Sequence, residues 1–344
     1  MKKYPFTVFI GRFQPFHNGH AHVIHQALSV SERVIVLCGS AHMPASYRNP
    51  WSYAERKDMI LSAFNKSDAD RIHVLPVIDS PYNEAAWVRS VQKIVAGVTE
   101  ALHPVPHRPP AIALIGHGKD ESSYYLKLFP QWQSVDVDNL KDINATEIRE
   151  GYFNGDSEAA YGEHLPKPVR QYLDGFKTQD TYAGIADEFD FVRQYKAAWA
   201  ASPYPPVFMT VDALVVQSGH ILLVKRRAKP GKGQMALPGG FVNQTERLQD
   251  ACLRELREET GLKVPLPVLK GSIVKTETFD APYRSARGRT ITQAYLIQLE
   301  DSRQLPKVKG GDDAEKAFWL PLAELNPEKM FEDHYFMIQH LIGE

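Results

Sequence analysis

Cysteine is nearly absent from this chain of 344 residues: only Cys38 and Cys252 occur, far apart and without metal-ligand spacing. That excludes a disulfide framework and a thiolate metal site, and it fits two buried thiols in a reducing compartment. An excess of charge of one sign is also missing. With 40 Lys and Arg against 41 Asp and Glu, the formal charge is -1. The broad basic field needed for non-specific nucleic-acid or membrane-surface binding is therefore absent, and any anion site has to be local. Long apolar runs are lacking too. The short run after MKKYP breaks at Gly11 and Arg12, too early for a signal segment or a spanning helix, so a cytoplasmic location is expected, with neither nucleic acid nor membrane as partner. No internal repeat, heptad pattern or low-complexity tract is visible. The remaining composition, 43% hydrophobic and 24% charged, is enough to build cores and argues against disorder.

The length favours two domains. Up to about residue 140, short β-branched runs alternate with amphipathic stretches, the rhythm of parallel βαβ units. Strands are expected at Phe6–Ile10, Arg33–Leu37, His73–Val77, Ala111–Ile115 and Ser134–Val137, with helices at Gly19–Val30, Ser52–Phe64 and Glu84–Val98. Ser52 and Glu55 have capping-box spacing. The proline-rich stretch 103–110 reads as a surface loop. A second proline cluster, SPYPP at 202–206, follows a helical stretch over Tyr182–Trp199 and marks a border. The expected division is a first domain over 1–180, a helical linker over 181–205 and a second domain over 206–344. Beyond the border, strands are expected at Val207–Val216, Ile221–Lys225, Leu269–Thr278 and Thr290–Leu299, around one strong helix at Leu248–Thr260, with a terminal helix at Glu328–Ile342.

Directly after the first expected strand comes GRFQPFHNGH, from Gly11 to His20. At the carboxyl end of a strand in a doubly wound sheet, the amides of the following helix point into the crevice where phosphates bind. Gly11 and Gly19 permit close backbone approach, Pro15 stiffens the turn, Arg12 adds a positive fork, and His17 and His20 project from one turn. These residues resemble the HxGH signature of the nucleotidylyltransferase superfamily. INATEIR, from Ile143 to Arg149, resembles that superfamily's second motif, with Asn144 in place of the usual serine, Thr146 as a helix cap and Arg149 facing the triphosphate. Together with SAHMPASYRNP at 40–50 and YAER at 53–56, the pattern is most similar to archaeal-type nicotinamide mononucleotide adenylyltransferases. The resemblance implies a Rossmann-like domain that uses ATP and Mg²⁺. It makes His17, His20 and Arg149 catalytic, and it places Gly11, Arg12, Phe13, Arg48, Asn144 and Thr146 at phosphate or nucleotide. Asp79 and Trp87 fall at the nicotinamide end, and Gly116 opens a crevice loop. Transfer to a different phosphate, such as phosphopantetheine, stays open. An aminoacyl-tRNA synthetase is disfavoured, because no basic tRNA surface is present.

The second constellation runs from Gly240 through Glu246 to RELREETGL at 254–262. On a helical wheel Glu255, Glu258 and Glu259 fall on one arc, continuing a face that Leu248, Ala251 and Cys252 bury. Three crowded carboxylates there suit a hard divalent cation, Mg²⁺ or Mn²⁺, with Arg254 orienting one of them and the Gly240 carbonyl as a further ligand. Gly261 ends the helix as a left-handed cap. Every position resembles the Nudix box, which implies an α/β/α sandwich with a mixed sheet and metal-dependent hydrolysis of a nucleoside diphosphate linked to another moiety, the three glutamates being catalytic and metal-binding. Candidate bases outside the box are Glu277 and Glu315. The loop TFDAPYRSARGRT at 278–290 is similar to that of ADP-ribose pyrophosphatases and of ADP-ribose-sensing regulators; Arg284, Arg287 and Arg289 are expected either to meet phosphate or ribose or to form a plain exposed basic loop. The fusion matches a known bifunctional bacterial architecture in NAD metabolism. Its expected ligands are ATP, nicotinamide mononucleotide and ADP-ribose; an ADP-ribose-binding regulatory role for the second half and a homo-oligomeric state both stay open.

Overall fold

The computed structural model describes residues 3–103, 110–116, 126–137, 140, 143–158, 161–311 and 314–343. The expected loop at 103–110 and the residues after Gly116 fall mostly outside these. The chain forms two compact units, Met1–Ala186 and Asp187–Glu344.

In the first unit the elements run β1 (Tyr4–Gly11), α1 (Asn18–Val30), β2 (Ser31–Cys38), α2 (Tyr53–Ser62), a short α3 (Lys66–Ala69), β3 (Ile72–Pro76), α4 (Glu84–Leu102), β4 (Ile112–Gly116), β5 (Gln133–Asp136), α5 (Ala145–Asn154), α6 (Lys167–Phe176) and α7 (Asp180–Ala197), the last of which crosses the unit border. The five strands make one sheet in the order β3-β2-β1-β4-β5, every pairing parallel. Parallel strands buried on both faces need unbroken apolar runs. TVFI in β1 and VIVL in β2 supply them, and Phe6, Val8, Ile35 and Leu37 lie in one core with Val91 and Val95 of α4. The Ser52–Glu55 capping box forms as expected. At α5 the expectation shifts by two residues: the cap is Asn144, whose side chain accepts from the Thr146 amide at 2.9 Å, and Thr146 lies inside the helix.

The second unit continues with β6 (Phe208–Gln217), β7 (His220–Arg226), β8 (Met235–Ala236), β9 (Gly239–Phe241), α8 (Leu248–Thr260), α9 (Leu266–Gly271), β10 (Ile273–Phe279), β11 (Thr290–Gln298), β12 (Ala314–Pro321) and α10 (His334–Ile342). The sheet is mixed, in the order β10-β11-β6-β7-β12, with β8 on β7 and β9 on β6. The β6–β11 pair is parallel and β10–β11 antiparallel. Helix α8 seals one core through Ala251, Cys252, Leu253 and Leu256 against Val211, Ala213 and Val215.

Two expected elements are corrected here. The strand predicted from Leu269 starts only at Ile273, because Pro265 caps and Pro267 opens the short helix α9, a first-turn position where proline suits a helix. The terminal helix predicted from Glu328 starts at His334. Ahead of it the Phe331 amide bonds the Met235 carbonyl at 2.7 Å, and Glu332 takes a left-handed φ of 43°; both interrupt a helix. Strand β12 was not expected from the sequence.

Candidate active sites

In the first unit the strand order reverses between β1 and β4, and a doubly wound sheet opens its binding crevice at the carboxyl ends of such neighbours. Gly11 ends β1 and Gly116 ends β4. At Gly11 an added Cβ would lie 2.9 Å from the Phe13 ring. Its bare backbone lets buried Phe13, with a left-handed φ of 54°, fold back over the turn. His17 is the N-cap of α1: its Nδ1 accepts from the His20 amide at 3.4 Å, while His20 Nδ1 accepts from the His17 amide at 3.3 Å. The two rings stack with centroids 3.6 Å apart. With Nδ1 engaged as acceptor on both rings, Nε2 is the donor edge of each neutral imidazole. Gly19 is required by the same arrangement, because a Cβ there would meet the His17 ring at 3.0 Å.

Arg149 reaches the turn from α5. It is buried, donates to the carbonyls of Gln14 and Ala145 and to Thr146 Oγ1 at 3.1 Å, and its Nε has no acceptor among the described residues. Burial, then the charge of Arg12, pulls its pKa down to about 10, and Arg48 adds to the effect. Arg12 in turn feels Asp79 and Arg48. Arg12, Arg48 and Arg149 are thus near enough to influence one another's charge, a candidate local anion site beside the turn. Arg48 lies along Tyr47, its Nε 3.2 Å from the hydroxyl. Asp79 accepts from the Ser40 amide at 3.0 Å and from the Ser40 hydroxyl at 2.5 Å, at the end of β2. Trp87 packs on the core beside Phe129, centroids 5.9 Å apart.

Two residues that build this crevice lie inside the quoted motifs but were assigned no role from the sequence. Arg56 is fully buried, and its guanidinium bonds the carbonyls of Arg12, Gly39 and Ser40 at 2.6, 2.8 and 3.2 Å. Gln14 bonds the Trp51 backbone through both its amide nitrogen and its oxygen. Their roles were not legible there, because each works by closing backbone groups that lie far away along the chain.

In the second unit the acidic helix is α8. Arg254 is its hub: it bonds Glu246 at 2.6 and 3.0 Å, Glu255 and Glu258 at 2.8 Å each, and the Phe241 carbonyl at 3.3 Å. These bonds hold Glu246 down at about 2. The three acids expected on one arc differ in depth. Glu258 has 44% of its side chain exposed, Glu255 14%, and Glu259 is buried. Among the described residues, no three acidic, His or Cys side chains are gathered into a ready cation cage. Glu259 accepts the Gly239 amide at 2.9 Å. Burial pushes it up to about 8, and the charges of Glu255 and Asp212 push the same way. A buried, underneutralised carboxylate beside a second one is a donor set that suits a hard divalent cation. Gly240 fits this reading, since a Cβ there would sit 2.6 Å from the Glu255 carboxylate; only glycine lets the loop lie against the acids.

The candidate bases outside the box lie apart from this network. Glu315 pairs with Lys225 at 3.1 Å, and Glu277 faces His340 at 3.8 Å. Of the three loop arginines, Arg284 is buried in a two-bond pair with Asp333, 2.9 Å each, rather than standing in an exposed basic loop, and a charge at that depth would be costly if unpaired. Arg289 bonds the Asp280 carbonyl. Arg287 lies over the Phe241 ring at 5.1 Å.

The geometry defines the class: a Rossmann-like nucleotidyltransferase unit joined to a Nudix unit. Comparison with known families agrees. Residues 8–151 match the cytidylyltransferase-like family and residues 207–341 the NUDIX domain. The first half is 40% identical to the nicotinamide/nicotinic acid mononucleotide adenylyltransferase of Acinetobacter baylyi over 191 residues, 55% of this chain and 95% of that protein. Another stretch is 34% identical to the ADP-ribose pyrophosphatase of Methanocaldococcus jannaschii over 131 residues, 37% of this chain and 72% of that protein. A crystal structure of a bifunctional NMN adenylyltransferase/ADP-ribose pyrophosphatase from Francisella tularensis, complexed with AMP and a manganese ion, superposes with a TM-score of 0.90 at 37% identity, covering 98% of each chain. The chain belongs to the family of bifunctional NMN adenylyltransferase/ADP-ribose pyrophosphatases.

Proposed function

We propose that residues 1–180 transfer AMP from ATP to nicotinamide mononucleotide, giving NAD and pyrophosphate, and that residues 206–344 hydrolyse ADP-ribose to AMP and ribose 5-phosphate. The observation that carries the first half is the reciprocally capped His17–His20 pair at the strand-order reversal, with buried Arg149 bonded to the Gln14 carbonyl of the same turn. An oxygen of the mononucleotide's 5′-phosphate attacks the α-phosphorus of ATP in line, and pyrophosphate leaves. The nucleophile is already an oxyanion, so positioning and charge neutralisation suffice. Arg12, Arg48 and Arg149 hold the phosphate oxygens, and the Nε2 edges of His17 and His20 donate to the charge that grows on the leaving group.

In the second half Glu255, Glu258, Glu259 and the Gly240 carbonyl would hold Mg²⁺ or Mn²⁺. When bound, the metal supplies charge neutralisation and an acidified water. Arg254 fixes Glu255 and Glu258 in place, and Arg287 meets the substrate. ADP-ribose fits better than NAD, because efficient hydrolysis of NAD would undo the product of the first half. The proposed compartment is the cytoplasm, where ATP and Mg²⁺ are available and Cys38 and Cys252, both buried free thiols, stay reduced.

The test incubates the full chain with ATP, Mg²⁺ and the mononucleotide, then with ADP-ribose or NAD, and separates the products by chromatography. NAD formation and AMP release from ADP-ribose are expected. Faster loss of NAD than of ADP-ribose would overturn the second assignment, and no NAD synthesis the first.

A further inference from the structure

The backbone that leads into Gly240 has little freedom, and its fixings come from separate elements. The Met235 carbonyl accepts from the Phe331 amide at 2.7 Å, the Pro238 carbonyl accepts from the Ala213 amide of β6 at 2.8 Å, and the Gly239 amide donates to Glu259 of α8 at 2.9 Å. Leu237, between β8 and β9, is buried, so its amide needs a partner inside the fold. That partner is a side chain ninety-seven positions away: Nδ1 of His334 accepts it at 3.0 Å.

His334 is the first residue of α10 and is itself buried. A ring nitrogen that accepts carries no proton, so the imidazole is neutral with its hydrogen on Nε2. Burial favours the same state, pulling the pKa down to about 3 against the opposing charge of Asp333. Nε2 faces Asp212 Oδ1 at 3.9 Å, and the other oxygen of that buried carboxylate accepts from the Thr292 hydroxyl at 2.6 Å. Asp212 stands opposite Gly239 in the β6–β9 register, where a Cβ on Gly239 would lie 2.7 Å from the same Oδ1. The Asp212–His334 pair thus lies against the loop that carries Gly240.

We infer that His334 is a positioning residue of the hydrolase: by accepting the Leu237 amide through Nδ1, it sets where the Gly240 carbonyl stands relative to Glu255 and Glu259, and so how tightly the divalent cation is held. The inference rests on the hydrolase reading above and deepens it. Two successive glycines bring no side chain of their own to aim that carbonyl, so its direction depends on bonds made by their neighbours. The Gly239 amide is taken by Glu259, which is also wanted by the cation. With the Leu237 anchor lost, one carboxylate would have to steady the loop and bind the metal together. Groups that orient a metal's ligands without touching it are worth tenfold to a hundredfold in affinity, on the order of what is expected here.

The experiment titrates the full chain with Mn²⁺ in the absence of ATP, reading free Mn²⁺ by electron paramagnetic resonance, for the wild type and for His334→Asn, His334→Gln and His334→Leu. Asparagine places an oxygen where Nδ1 stands, glutamine carries its amide out toward the Nε2 position, and leucine offers no acceptor. Glutamine and leucine are expected to raise the Mn²⁺ dissociation constant roughly tenfold, and asparagine to hold it within about twofold of the wild type. Melting in chelator is followed alongside. A lower melting temperature with an unchanged Mn²⁺ constant would mean that His334 only braces α10, and an asparagine variant as weak as the glutamine one would mean that the Nδ1 acceptor is not what matters; either overturns the inference. Should the leucine variant not fold, the asparagine–glutamine comparison decides alone. A wild type that binds Mn²⁺ but releases no AMP from ADP-ribose would overturn the substrate assignment, while the ratio of Mn²⁺ constants still judges His334.

Discussion

Glu259→Gln is the substitution whose outcome the structure constrains most. The carboxylate is buried, and burial lifts its pKa from 4.5 to about 8. Because the folded value lies above the unfolded one, the protonated form is favoured in the fold. Its contribution is fully present below about pH 4.5 and is lost as pH rises toward 8. Each unit in that window is worth about 1.4 kcal/mol, so the metal-free second unit should lose roughly 2 to 3 kcal/mol between pH 5 and pH 7 from this group. For a unit of this size that corresponds to a melting shift of roughly 5 to 10 °C. Glutamine keeps the shape and the acceptor for the Gly239 amide but cannot ionise. The assay is calorimetry of the full chain in chelator at pH 5, 6 and 7, following the transition that moves when Mn²⁺ is restored. The wild type should fall relative to Glu259→Gln as pH rises, and Mn²⁺ should recover the wild type at pH 7 while leaving the variant nearly unmoved. Parallel pH profiles for the two proteins would refute the reasoning, since they would show that the carboxylate is not held protonated by its surroundings.

Two further outcomes follow from the same geometry. Gly19→Ala drives a Cβ into the His17 ring at 3.0 Å and breaks the reciprocal histidine cap, so NAD synthesis should drop at least tenfold while ADP-ribose hydrolysis by the same preparation is unchanged; retained synthesis would remove the histidine pair from the transfer step. Asp333→Asn strips the charge partner from buried Arg284 and should cost the second unit about 3 to 5 kcal/mol, read by urea denaturation, with the charge-reversed double substitution Arg284→Asp/Asp333→Arg recovering part of the loss.

The parts of the fold visible in the sequence were those governed by local chemistry. The buried runs of β1 and β2, the Ser52–Glu55 box and the span of α8 each follow from composition within a few residues. Strand β12 was not legible, because it is an edge strand with a register shift between Ala314 and Lys316 and its pattern carries no clean alternation. The start of α10 was missed for a related reason: the interruption at Phe331 and Glu332 comes from pairing with Met235, about ninety-five residues earlier. Among site residues, His17, His20 and the α8 glutamates announce themselves by spacing. Arg56 and Gln14 do not, since their work is to saturate carbonyls and amides that only the fold brings near. Arg284 looked exposed in a basic loop because nothing in that loop names Asp333 as its counter-ion.

The three neighbouring arginines of the first unit sit in a chain whose net charge is -1. A field balanced so closely fades within about 8 Å at physiological ionic strength, and an approaching nucleotide is drawn in only once it is nearly at the mouth of the crevice. Capture at the transferase site therefore rests on this local cluster and should weaken as added salt screens it, while discrimination among phosphorylated metabolites falls to how long each one stays.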